Sequence, residues 1–218
     1  MMSKRTVIGR VAKEVEKKFI NQGAGHDWWH IYRVWQLAKR LSRKEGADLF
    51  IVELGALLHD IADWKFNGND FTVGPRAARA LLNKFRLPEE TVGRVCDIVA
   101  NVSFKGAGAK NGMRSLEGKV VQDADRLDAL GAIGIARAFA YGGSADRVMH
   151  DPRTKPQRRQ SQKQYVRSKS TSINHFYEKL LLLSDLMNTE TGKRIAAARH
   201  RFIENYLNEF FAEWEGRI

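Results

Sequence analysis

Glu53-Leu54-Gly55-Ala56-Leu57-Leu58-His59-Asp60-Ile61-Ala62-Asp63-Trp64-Lys65 is the stretch that decides the fold. From Asp48 onward apolar residues crowd every helical face, as expected of a helix packed on several sides, and the helix, read over about 49–62, carries an adjacent histidine and aspartate at its end. His59 and Asp60 therefore lie near or inside the core. A carboxylate taken out of water costs several kcal/mol unless it is paired or coordinated, and an imidazole beside it points to a divalent metal as the partner.

Upstream, Val7–Ile20 alternates apolar positions with Lys and Glu at helical spacing and reads as an amphipathic helix with a structural role. Asn21–Gly25 breaks it. His26-Asp27-Trp28-Trp29-His30 opens a second helix with Asp27 as its N-cap, in which His30, Val34, Leu37 and Leu41 recur at i, i+4, i+7 and i+11 and turn His30 towards the core. Downstream, helices are expected from about Pro75 to Phe85 and from Glu89 to about Val102. The basic, glycine-rich run Ser103–Gly112 lacks P-loop spacing and reads as a connection, with phosphate contact through Lys105 as its functional alternative.

Glu117 to about Tyr141 reads as one helix carrying Asp123, Asp125 and Asp128. On it Asp125, Ala129, Ala132 and Ala136 share a face of small side chains that brings Asp125 inside, while Asp123 and Asp128 point elsewhere. A long basic loop follows over about 142–172, with His150, Arg153, Lys155, Arg158, Arg159, Lys163, Arg167 and Lys169. It is either a solvated charge run or a lid that gathers phosphates. Helices over about 173–215 close the chain, the last starting at Thr189 and ending near Trp214, with an aromatic stripe read as core rather than a base-stacking surface. No repeat, strand alternation or hairpin signal occurs, so the fold is expected to be all-α.

At 218 residues the chain suits one domain, or one domain with a substantial appendage, and needs no staple. Its single cysteine, Cys96, excludes an intramolecular disulfide and reads as a buried, inert thiol. Neither a secretory signal nor a run of about 20 apolar residues is present, which predicts a cytoplasmic protein without a membrane partner. The net charge of +12 favours anionic partners, nucleotide or nucleic acid, and does not decide oligomeric state.

Together, His30, the pair His59-Asp60, and Asp125 within Asp123-Ala-Asp125-Arg126-Leu127 form an H…HD…D set on three expected helices. This pattern resembles the HD-domain metal-dependent phosphohydrolases over a core of about 24–140. The segment from Thr171 onward is similar to a bacterial branch that includes nucleoside-triphosphate pyrophosphohydrolases. The resemblance implies an HD-domain helical bundle with additional C-terminal helices, spanning 1–218 as a single domain. It also implies His30, His59, Asp60 and Asp125 as ligands of one divalent ion. Two nitrogens and two carboxylates suit Mn²⁺ first, with Fe²⁺, Co²⁺ or Ni²⁺ next and Mg²⁺ less natural.

The implied reaction is hydrolysis of nucleoside or deoxynucleoside triphosphates to monophosphate and pyrophosphate by in-line attack of a metal-activated water. In alarmone hydrolases of the family an acidic pair stands at the third and fourth positions after the dyad. Here Asp63 fills the first and Trp64 replaces the second, which argues against that activity and leaves Asp63 as the candidate general base. A di-iron branch generally needs a further histidine pair between Asp60 and Asp125, and none occurs. Lys65, Arg126, Lys179 and Arg199 are the candidate cations for substrate phosphates. The competing readings are another nucleotide phosphohydrolase, either nucleotidase or phosphodiesterase, or a basic nucleic-acid-binding module with a structural metal.

Overall fold

The structure is a computed structural model and describes residues 2–21, 27–62, 70, 72–103, 112–157 and 170–218. The described residues form α-helices with short 3₁₀ turns and no strand. In chain order the helices are α1 (Lys4–Phe19), α2 (Trp28–Glu45), α3 (Leu49–Leu58), α4 (Val73–Asn83), α5 (Glu89–Asn101), α6 (Leu116–Asp128), α7 (Gly131–Ser144), α8 (Ser172–Glu178) and α9 (Glu190–Trp214). The all-α reading holds, and most helix starts follow from local chemistry. Asp27 caps α2 by accepting from the His30 N–H at 2.7 Å, and Thr189 caps α9 by accepting from the Gly192 N–H at 3.0 Å. None of the described helices is long and apolar enough to cross a membrane.

The chain divides into two compact units, 1–104 with 110–125 and 105–109 with 126–218. In the first, α3 is the central helix: Ile51, Val52, Leu54, Gly55, Ala56, Leu57 and Leu58 are all buried. α2 and α1 pack on it and on one another, α5 packs on another side of α3, and α4 packs on α5. Burial on all sides removes most of the apolar surface of α3 from water, at about 25 cal/mol per Å². Gly55 lets the neighbours come close, since a Cβ built there meets Ile98 Cδ1 at 3.1 Å and Val121 Cγ2 at 3.3 Å. Cys96 is buried here too, and burial pushes its thiol above the ordinary range, as an inert core thiol requires.

α3 and α6 run side by side in the same direction. Their starts meet where the Asp48 N–H donates to Glu117 Oε1 at 3.1 Å. Arg94 of α5 closes that corner, 3.7 Å from Asp48 Oδ2 and 3.2 Å from Glu117 Oε2.

In the second unit α7 packs on α9 and α8, with Phe139, Phe176 and Tyr206 in mutual ring contact. The aromatic stripe of α9 is half-buried: Tyr206 stacks on the fully buried Phe176, whereas Trp214 at the far end is about half exposed. The 117–141 stretch is not one helix. It breaks between Asp128 and Gly131, where Gly131 takes φ +71°. Glycine reaches that left-handed conformation without steric cost, and a Cβ there would meet Arg199 Cγ at 3.1 Å. The Asp125–Ala136 face is therefore interrupted, and the aspartates are distributed otherwise than expected: Asp123 and Asp128 are buried, while the Asp125 side chain is 28% exposed.

Candidate metal centre

Three helix ends and the turn after one of them bring four side chains together within the first unit. His30 comes from the first turn of α2, His59 caps the C-terminus of α3, Asp60 follows it, and Asp125 sits in the last turn of α6. His30 Nε2 and His59 Nε2 are 3.1 Å apart. Asp60 Oδ2 lies 3.4 Å from His30 Nε2 and 3.5 Å from His59 Nε2. Asp125 Oδ1 lies 3.5 Å and 3.8 Å from the same two nitrogens.

Two donors each about 2.1 Å from one ion are about 3.0 Å apart at a right angle and about 3.4 Å apart at the tetrahedral angle. The separations among His30, His59 and Asp60 match a cluster around one ion, and Asp125 lies near both imidazole nitrogens. The donor chemistry fits as well. His59 Nδ1–H donates to the Ala56 carbonyl at 2.8 Å, which in the neutral ring leaves Nε2, the atom facing the cluster, with its lone pair. His30, His59 and Asp60 alone already form a group able to hold a metal. The C-terminal ends of α3 and α6 both reach the site, so the negative ends of two helix dipoles favour a cation there.

Access is one-sided. Both imidazoles are almost wholly buried, at 1% side-chain exposure, whereas the carboxylates of Asp60 and Asp125 are 17% and 28% exposed. A buried nitrogen floor with a partly open carboxylate rim leaves room for water or a phosphate oxygen, unlike a closed structural site.

The expected site residues fare differently. His26, Asp63 and Lys65 lie outside the described residues, as do Lys105 and the basic positions Arg158, Arg159, Lys163, Arg167 and Lys169. Arg153 is described and is highly exposed, paired with Asp151 at 3.0 Å. Arg126, Lys179 and Arg199 belong to the second unit. Arg126 is buried and donates through Nη1 to the Leu186 carbonyl, Arg199 donates through Nη1 to the Leu127 carbonyl, and Lys179 is half-buried at the end of α8. Sequence reasoning missed Lys18 near this centre. It stands in the last turn of the amphipathic α1, and its Nζ donates to the Ile61 carbonyl at 2.6 Å. Nothing in its helical spacing separates it from Lys17.

The HD domain family profile matches residues 28–130. The uncharacterized protein YpgQ of Bacillus subtilis is 37% identical over 204 residues, covering 89% of this chain and 87% of that protein. A solved structure of an HD-superfamily hydrolase from Bacillus thuringiensis is 42% identical and superimposes with a TM-score of 0.76, covering 98% and 99% of the two chains. A Lactobacillus plantarum protein is 36% identical with a TM-score of 0.86, covering 99% and 100%. YpgQ has also been solved in complex with ADP, at 34% identity, a TM-score of 0.72, and coverage of 94% and 97%.

Proposed function

This chain belongs to the HD-domain family, and on that premise we propose that it is a metal-dependent phosphohydrolase that cleaves nucleoside or deoxynucleoside triphosphates to monophosphate and pyrophosphate. The observation that carries the reading is the cluster of His30 Nε2, His59 Nε2 and Asp60 Oδ2, with Asp125 Oδ1 close to both nitrogens and both carboxylates partly exposed. These four would hold one divalent ion. Two imidazoles and two carboxylates favour Mn²⁺, Fe²⁺, Co²⁺ or Ni²⁺ over Mg²⁺. When bound, such an ion supplies Lewis acidity to a phosphoryl oxygen and lowers the pKa of water.

The protein's own groups do the rest. The His59 Nδ1 bond to Ala56 holds that ring, and the Asp27 cap fixes the start of α2 from which His30 projects, which limits the reorganisation needed when substrate arrives. Asp63, three residues past Asp60, is the proposed base that takes the proton of the attacking water. Lys65, Arg126, Lys179 and Arg199 are the proposed cations for leaving-group charge. A guanidinium has five N–H donors, so one bond to a carbonyl does not exhaust Arg126 or Arg199. The nucleotide part of the reading is supported by the ADP found in the YpgQ structure and by the net charge of +12.

The test is product analysis by chromatography after incubating metal-stripped protein with each nucleoside triphosphate and its deoxy form plus Mn²⁺, Mg²⁺, Co²⁺ or Ni²⁺, with Asp60→Ala as control. Metal-dependent release of monophosphate and pyrophosphate, lost in the variant, is the expected result. Release of inorganic phosphate or intact triphosphate would change the bond assigned. No turnover with any nucleotide and metal would overturn the assignment.

A further inference from the structure

The end of α3 is closed by three hydrogen bonds from three different donors. His59 Nδ1–H takes the Ala56 carbonyl at 2.8 Å, the Ile61 N–H takes the Leu58 carbonyl at 3.0 Å, and Lys18 Nζ takes the Ile61 carbonyl at 2.6 Å. The first two are local to the turn. The third arrives from 43 residues away, on α1, a helix that lies wholly before the segment matching the family profile.

We propose that Lys18 is a positioning residue of the candidate metal centre: its ammonium holds the Ile61 carbonyl and thereby fixes the turn that presents Asp60. The inference rests on the metal reading given above. Both sides of the contact are anchored. Phe19, next to Lys18, is buried, and the Lys18 ammonium lies 5.6 Å from the centre of its ring; the Ile61 side chain is buried as well. α1 itself packs on α3 and α2, and its Val7, Ile8, Val11, Ala12 and Val15 are buried. A charge-assisted bond at 2.6 Å between two anchored segments restrains the residue adjacent to Asp60 directly. His59 is restrained separately, at Ala56.

Positioning and simple charge make opposite predictions. An ammonium near a cation site repels the cation, so if Lys18 acted only through its charge, neutralising it would tighten metal binding. If it acts by fixing the turn, neutralising it weakens binding, as loss of a group that orients a ligand weakens metal sites by about 10- to 100-fold.

The experiment is titration of metal-stripped protein with Mn²⁺, following the free-ion signal by electron paramagnetic resonance. The proteins are wild type, Lys18→Met, Lys18→Arg, Lys17→Met and Asp60→Ala, with circular dichroism melts of each in the absence of metal. The expected result is loss of affinity of about tenfold in Lys18→Met, recovery of most of it in Lys18→Arg, no change in Lys17→Met, and melting temperatures close to wild type. Lys18→Gln carries the same expectation should Lys18→Met not fold. Affinity in Lys18→Met equal to or tighter than wild type, while Asp60→Ala loses binding, would overturn the role of Lys18 alone. Failure of the wild type to bind Mn²⁺ would overturn the metal reading and this inference with it.

Discussion

The two ends of α3 hold the same neighbour, α6, by side-chain clusters of opposite kind. At the start, Asp48 and Glu117 meet donors that answer them: the Asp48 N–H and the Arg94 guanidinium. At the finish, two carboxylates meet two imidazole nitrogens, one of which has its proton directed away, onto Ala56. The first cluster is satisfied by the protein and serves cohesion. The second gathers lone pairs and, on the proposed reading, is matched by a cation, so the geometry is similar and the chemistry divides fold from function.

The largest test of that division is Asp60→Ala. Since losing a group that merely orients a ligand costs up to about 100-fold in affinity, removing a ligand itself should cost more, read as Mn²⁺ binding, while the metal-free melting temperature changes little. Saturating metal sharpens the same contrast: at a hundred times its dissociation constant the ion should stabilise wild type by about 2.7 kcal/mol in a thermal melt and leave Asp60→Ala unmoved. Gly55→Val, midway along α3, should destabilise by about 1–3 kcal/mol through contact with Ile98 and Val121, measured by urea unfolding with metal absent.

The smallest effect is expected at the other end. Burial raises the Glu117 carboxyl, but its own backbone N–H, the Asp48 N–H and the Arg94 guanidinium more than reverse this and hold it below the ordinary value of 4.5. A carboxyl lowered in the native state contributes stability above its unfolded pKa and loses it as pH falls through the native one. Glu117→Gln should therefore cost roughly 1 kcal/mol at neutral pH and make the acid limb of unfolding shallower below about pH 4.5, with metal affinity unaffected. A change in metal affinity would break the separation of the two ends.

Much of this was legible in the sequence because the signals are local. Asp27 reads as a cap and acts as one, the last helix begins at Thr189 as read, and the apolar α3 is buried on most of its surface. The break at Gly131 was not legible, because an Ala- and Gly-rich run is compatible with a continuous close-packed helix face. The left-handed turn is apparent only with the Arg199 side chain placed against it. The error over Asp123 and Asp128 follows from the same break, since the expected inward face runs through Ala129, Ala132 and Ala136, which stand beyond the end of α6. Asp128, for instance, is buried against Arg137 at 3.0 Å. Lys18 was invisible for another reason: its partner is a backbone carbonyl, which carries no residue-type signal.

Both histidines are held by contacts three residues away in their own segment, His59 through the Ala56 carbonyl and the His30 backbone through the Asp27 carboxylate. The His59 imidazole therefore comes as a cassette of about one helical turn, whereas the turn before His30 sets only the backbone from which its ring projects. During folding, the His59 ring can be aimed as soon as its turn forms, before the helices meet. Over divergence, sequence around the two turns can drift widely provided the packing of α2 on α3 is kept. For a designer, the transferable unit is a pair of short capped turns and one interhelical distance, not a whole domain.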